Sequence, residues 1–247
     1  MAVKRSQSAA RVLLVLEKIA RHQPVGVSEL SRVIDEDKSA VQRAIMTLAD
    51  EGWIQPAPGE VTRWELSGHI HVIAQMGRGG NDLRRRSRAA LEMLRDETGE
   101  TVLLNVPDAR GFVIIEVLES RQMLRTAPMV GMMAPVRDSA TGRALLPYMS
   151  RDRQVELLGE PPSRAMLEDF AATRARGWSV NDGDIAIGST NIGAPIFEAD
   201  GRPIGAVVVS GPSERLTPEH QVRVGPMVAR TARNLSHGAP PGEVLSL

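Results

Sequence analysis

Residues 38–48, Lys-Ser-Ala-Val-Gln-Arg-Ala-Ile-Met-Thr-Leu, set two kinds of side chain at helical spacing. Val41, Ile45 and Leu48 recur at i, i+4 and i+7 and define a buried stripe. Turning by about 100° per residue puts Ser39, Arg43, Met46 and Asp50 opposite that stripe, with Gln42 and Thr47 on the flanks. Such a face suits the reading of nucleic acid. A helix in the major groove contacts bases through its N-terminal residues. Lys38 and Ser39 can bind phosphate, Gln42 can pair bidentately with adenine, and Arg43 with guanine. Each good bidentate contact is worth about 1–3 kcal/mol of discrimination. Arg63, and Lys4, Arg5 and Arg11 near the N-terminus, would add phosphate contacts or serve as ordinary surface charges. A polar helical face alone is most often just solvated, so its neighbours must decide.

Those neighbours form a recognisable order. Val12, Leu13, Leu16, Ile19 and Ala20 predict a first helix, which Pro24 interrupts. A second short helix reads from Ser28, a candidate N-cap, through Leu30, Val33 and Ile34. The acidic turn Asp35-Glu36-Asp37 separates it from the third helix, which Gly52 stops. These acids complement the helix dipole, and one of them could accept a bond from a cytosine amino group. Trp53–Gln55 and Thr62–Leu66, around a Pro-Ala-Pro-Gly turn, read as a two-stranded ribbon. Three short helices and a ribbon give the order of a winged helix-turn-helix over residues 1–69.

The remainder divides by charge and pattern. Thirty basic and thirty acidic residues cancel over the 247-residue chain, excluding a polybasic protein that holds nucleic acid by bulk charge. By region, 1–69 is neutral with nine of each sign, 70–95 carries six basic against two acidic, and 96–247 carries fifteen against nineteen. A connector, 70–97, holds Gly77, Gly79 and Gly80, then a helix capped by Asn81 or Asp82 and running through Leu83, Leu91 and Leu94. Strands are expected at 102–106, 112–118, 121–126, 192–197 and 204–210, and helices at 140–149, 151–158, 166–176 and from Thr217-Pro218 to Leu235. Asp200-Gly201 marks a hairpin, and the last ten residues read as a frayed tail. The second domain, 98–240, is therefore an α+β sheet domain. Cysteine is absent, which excludes disulfides, thiolate zinc sites and cysteine nucleophiles. The longest apolar runs are too short to cross a bilayer and no secretory leader pattern opens the chain, so a cytoplasmic location is expected.

With these pieces in place, residues 8–235 resemble an IclR-family transcriptional regulator. The likeness rests on the 38–48 segment, Leu91-Glu-Met-Leu-Arg-Asp-Glu-Thr-Gly-Glu100, Ala140-Thr-Gly-Arg-Ala-Leu-Leu146, Arg174-Ala-Arg-Gly-Trp178, and Gly188-Ser-Thr-Asn-Ile-Gly-Ala-Pro-Ile-Phe197 leading to Val209-Ser-Gly-Pro212. Each segment is weak alone; their order across two domains is specific. The resemblance implies a winged helix, a linker helix used in dimerisation, and a GAF-like (profilin-like) α/β effector domain. It also implies homodimers or homotetramers on a palindromic double-stranded DNA operator, answering to a small organic effector. Ala40 stands where the family has the threonine of a Ser-Thr pair, leaving Ser39 to make a phosphate contact alone.

The same resemblance implies a pocket walled by the loop around Met129–Met133, by Ala140 and Thr141, and by Asn181, Asn191, Val208 and Ser210. Asn191, Asn181 and Val208 replace a cysteine, an acid and a serine of relatives that bind small carboxylates. An effector with an apolar or aromatic body is then expected, its polar end held by Asn191 or Ser210. Met123, Met129, Met132 and Met133 either adapt to that body or pack in a core or dimer contact. Enzyme readings are weak. His69-Ile-His71 has no carboxylate cluster nearby and reads as wing-closing, Gly77-Arg-Gly-Gly80 lacks a phosphate-loop lysine, and no Gly-x-Ser-x-Gly elbow occurs. The glycines from 183 to 193 would admit a ligand close to backbone rather than do chemistry. Neither cofactor nor metal is called for. The competing reading is a GAF-type sensor whose head binds a protein.

Overall fold

The computed structural model describes residues 6–76 and 80–237, which form two units meeting between Asn81 and Asp82. Lys4, Arg5, Gly77, Arg78, Gly79 and the tail from residue 238 lie outside the described residues.

The first unit holds α1 (Gln7–His22), α2 (Val27–Ile34), α3 (Lys38–Asp50), β1 (Ile54–Pro56), β2 (Trp64–Leu66) and α4 (His69–Met76). Ser6 caps α1, whose buried residues are Val15 and Ile19; Leu13 and Ala20, expected inside, are exposed because the helix is rotated toward Val15. Helix α2 starts a residue before the expected cap: Gly26 is its N-cap and Ser28 sits in its first turn. The ribbon pairs Ile54 with Leu66 and Pro56 with Trp64, and Val25 adds a bridge to Trp64 that the sequence pattern did not announce. Val15, Ile19, Leu30, Val41, Ile45, Leu48, Ile54 and Trp64 close one core beneath these elements. His69 and His71 open α4 rather than end the ribbon, and the His69 ring meets Trp53 edge-on at 4.9 Å.

The second unit begins with α5 (Gly80–Thr98), so Asn81 and Asp82 lie inside the helix instead of capping it. Its sheet contains β3 (Thr101–Asp108), β4 (Gly111–Leu118), β5 (Met133–Ala134), β6 (Ser179–Asp182), β7 (Ser189–Phe197) and β8 (Pro203–Pro212). The order is β5-β4-β3-β8-β7-β6 and every pairing is antiparallel. Residues 121–126 are not the expected strand. Thr101 Oγ1 donates to Thr126 O, and Arg215 donates to Leu124 O and, through two bonds, to the Glu100 carboxylate, so side chains hold this segment without a ladder. Strand β6 went unforeseen because Ser179-Val-Asn-Asp182 is mostly polar.

Alternation along the strands gives the sheet two cores. Val102, Leu104, Val207 and Val209 face Leu83, Leu91 and Leu94 of α5 and Val224, Val228 and Ala232 of α9 (Pro218–Leu235). The connector expected over 70–97 is thus divided: α4 falls in the first unit, while α5 supplies core residues to the second. On the other face, Leu103, Ile114, Ala206 and Val208 meet α6 (Ala140–Leu145), the 3-10 turn 146–148 and Phe170 of α8 (Arg164–Arg176). Helix α7 (Arg151–Leu158) completes that side. Gly142 is required in α6, since a Cβ there would stand 1.8 Å from Val136 O.

Candidate nucleic-acid interface and ligand cavity

Helix α3 separates its residues as its period dictates. Ala40, Val41, Ala44, Ile45 and Leu48 are buried, while Lys38, Ser39, Gln42, Arg43, Met46, Thr47 and Asp50 are exposed. Ala40 is only 7% exposed, so a larger residue there would meet the core. Each acid of the preceding turn has a separate occupation. Asp35 ends α2 in the left-handed conformation at φ 56°, Glu36 pairs with Arg11 at 2.8 Å, and Asp37 caps α3. Asp37 Oδ1 accepts from Ser39 N at 2.8 Å, Ala40 N at 3.2 Å and Ser39 Oγ at 2.5 Å. The Ser39 hydroxyl, followed by the backbone amides and the Arg43 charge, holds the Asp37 carboxyl below the usual carboxylate range. Arg43 Nη1 in turn donates to Ser39 Oγ at 3.2 Å, and Thr47 Oγ1 donates to Arg43 O at 3.0 Å.

Two of the basic residues expected at phosphates have internal partners instead. Arg63 donates to Pro24 O at 2.9 Å and to Glu29 at 2.8 Å, tying the ribbon to α2, and Arg11 is committed to Glu36. Phosphate binding by either would have to compete with these pairs.

In the second unit a cavity of about 430 Å³ opens over the sheet face that carries Leu103 and Val208. Met133, Ala140, Thr141, Asn191, Val208 and Ser210, six of the eight expected pocket residues, line it together. Asn181 does not. It is fully buried behind the wall, donates to Asp138 O at 2.6 Å and Asp184 Oδ2 at 3.1 Å, and accepts from Asn191 Nδ2 at 3.3 Å, so it positions Asn191. Met129 is also absent from the lining; it is 67% exposed and its N–H donates to Met132 Sδ. Of the methionine cluster, Met132 and Met133 line the cavity while Met123 is exposed on the surface. None of the lining residues is charged. Among the described residues no group of acidic or histidine side chains could hold a metal ion, and no helix is long and apolar enough to cross a membrane.

Comparison with known proteins joins the two sites. Residues 8–58 match the IclR helix-turn-helix domain and residues 79–237 match the C-terminal domain of the bacterial transcriptional regulator IclR. The chain belongs to the IclR family. It is similar to the transcriptional repressor IclR of Escherichia coli, 28% identical over 93% of this chain and 89% of that protein. The acetate operon repressor of Salmonella typhimurium is 27% identical with the same coverage. In fold it resembles the Thermotoga maritima IclR structure (TM-score 0.71, 21% identity, 92% of this chain and 96% of that one). It also resembles an IclR homologue of Microbacterium hydrocarbonoxydans complexed with 4-hydroxybenzoate (TM-score 0.76, 21% identity, 93% and 98%). This IclR-family chain is a DNA-binding transcriptional regulator rather than an enzyme, with a helix-turn-helix head and an α/β second domain.

Sequence reading of the regulator missed several lining residues: Leu103, Asn105 and Ile114 from the sheet, Thr126–Pro128 from the loop after β4, and Ile185 and Ala186 before β7. The first three were legible as strand residues, but only the observed register shows which side of the sheet they face.

Proposed function

We propose that the first unit reads an operator with the exposed face of α3, and that a small organic molecule in the cavity of the second unit governs that reading. The carrying observation is the clean division of α3, with Lys38, Ser39, Gln42, Arg43 and Thr47 exposed over a fully packed opposite stripe. In this reading Lys38 and Ser39 contact phosphate, while Gln42 and Arg43 contact base edges. Residues 1–69 serve as the winged head, the segment 70–97 joins it to the effector domain 98–240, and homodimers or homotetramers engage palindromic half-sites from the cytoplasm. Half-site spacing is then about one helical turn or a multiple of it.

The effector has an apolar or aromatic body and a polar end at Asn191 or Ser210. The uncharged lining and the methionines at 132 and 133 support this, as does the aromatic acid bound in the Microbacterium homologue. A ligand changes DNA binding only through its different affinity for the two arrangements of the heads.

The test is footprinting on the upstream region of the protein's own gene, with and without aromatic acids, followed by anisotropy titration of the protected site. Arg43→Ala should lower specific affinity by about 1–3 kcal/mol while leaving non-specific binding nearly intact. Equal affinity of the variant and the unaltered protein would remove the base contact from the proposal.

A further inference from the structure

The cavity contains one group that the reading above does not use. Asn105, on β3, is only 1% exposed, and neither Nδ2 nor Oδ1 of its side chain has a hydrogen-bond partner. A carboxamide offers two donors and an acceptor oxygen. Buried polar groups are nearly always paired, because leaving one unpaired forfeits its hydration with nothing in return. Asn105 belongs to the cavity lining, but both polar atoms of its side chain are unpaired and closed off, so a ligand reaches them when the carboxamide turns into the cavity.

Register locates this group relative to the polar end already proposed. In β3, Thr101, Leu103 and Asn105 share a face, and their β8 partners are Ser210, Val208 and Ala206. Ser210 is in turn paired with Asn191 of β7. Asn105 therefore lies four residues along β3 from the position opposite Ser210, about 13 Å at the usual rise per strand residue. Leu103 and Val208, paired with each other, fill the interval with apolar surface. Across β4, the partner of Asn105 is Ile114, so the surroundings of the carboxamide are apolar as well.

We propose that Asn105 recognises a second, neutral hydrogen-bonding group, a hydroxyl or a carbonyl, at the end of the effector remote from Asn191 and Ser210. The effector is then an elongated molecule whose polar ends are separated by a flat apolar middle. A carboxylate does not suit the Asn105 end, where one carboxamide stands beside Leu103, Ile114 and Ala206, whereas Asn191 and Ser210, paired neighbours on β7 and β8, offer it two polar side chains. The inference rests on the cavity being the effector site, and the experiment separates the two claims.

Titration calorimetry of the full chain would use two probes of equal shape, 4-hydroxyphenylacetate and 4-methylphenylacetate, with Asn105→Leu, Asn105→Ala and Val208→Trp. The unaltered protein should prefer the hydroxyl compound by about 10-fold, since a buried site built for a hydrogen bond rejects an analogue that lacks it. In Asn105→Leu and Asn105→Ala the preference should disappear or reverse. Asn105→Leu should also raise the melting temperature of the ligand-free second unit by about 2–4 °C, because it removes an unpaired polar group at nearly constant volume. A carboxamide with a merely structural role would lower that temperature in Asn105→Leu, and such a drop overturns the inference. Val208→Trp should abolish binding of both probes. If it does so while the Asn105 variants keep the original preference, the cavity is the effector site and Asn105 does not read the ligand. Unimpaired binding by Val208→Trp would remove the cavity reading and this inference together. Failure of the unaltered protein to bind either probe at millimolar concentration would also overturn the inference.

Discussion

The face of α3 and the cavity over the sheet present opposite materials to the ligands proposed for them. On α3, charged and polar groups stand in solvent and are held by short-range bonds to one another: Asp37 to Ser39, and Ser39 to Arg43. In the cavity, charge is absent and the polar side chains are neutral, with Asn105, Ser139, Thr141 and Ser210 buried and Thr126, Ser189 and Asn191 half-buried. DNA recognition of this kind draws on counterion release and direct contacts and weakens as salt rises. Ligand recognition by the cavity draws on removal of apolar surface from water and on a few hydrogen bonds, and is largely indifferent to salt. The side chains of the two proposed sites can therefore be altered one site at a time.

The strongest way to break this comparison is to damage one site alone. Gly142→Ala drives a Cβ against Val136 O, and overpacking so close to backbone should cost the second unit about 3 kcal/mol. Calorimetry should show its transition lowered while that of the first unit stays put. Loss of both together would mean that the units do not unfold separately. Next in size is Arg43→Ala, which should weaken operator binding by about 1–3 kcal/mol and leave probe binding in the cavity unchanged. Lys38→Ala sharpens the contrast further: the slope of log affinity against log salt should fall by about one unit for DNA, with no change in the salt response of the cavity. A salt-dependent cavity would contradict its uncharged lining.

The smallest effect concerns pH. Because Asp37 is held below the usual carboxylate range when folded, its cap is at full strength at neutral pH. That contribution is lost as pH falls through the carboxylate range toward the lowered folded value. Asp37→Asn keeps a capping oxygen but does not titrate, so the first unit of this variant should lose less melting temperature between pH 7 and pH 3 than the unaltered protein. Equal losses would assign the acid sensitivity to other groups.

Sequence and structure agree best where a single period governs. In α3 the 3.6-residue repeat fixes both faces, and the exposed residues are those the projection selects. The Asp-Gly turn and the Thr-Pro start of α9 were likewise local signals with local causes. The cavity was harder to read, because its wall is assembled from β3, β4, β5, β7, β8, α6 and three loops. Asn181 shows the difficulty: its position pointed to the pocket, but its side chain turns to Asp138 and Asp184 and acts behind the wall. The 121–126 segment has strand composition, yet it joins no ladder, and side chains from Thr101 and Arg215 hold it instead. Asn105 left a signal that went unused. It follows Leu103 by two residues in the otherwise apolar run 102–106, the mark of a polar group on an inward face.

One strand lies against everything that matters in the second unit. Along β8, Val208 and Ser210 look into the cavity, while Val207 and Val209 are locked among the leucines of α5. Such a strand behaves as a stiff plate loaded from both sides. A molecule that presses on one surface cannot lift the sheet by a fraction of an ångström without shifting Leu91 and Leu94 on the other, because close-packed interiors transmit displacement instead of absorbing it. An effector in the cavity, as proposed, would therefore bear on the helix that begins where the first unit ends.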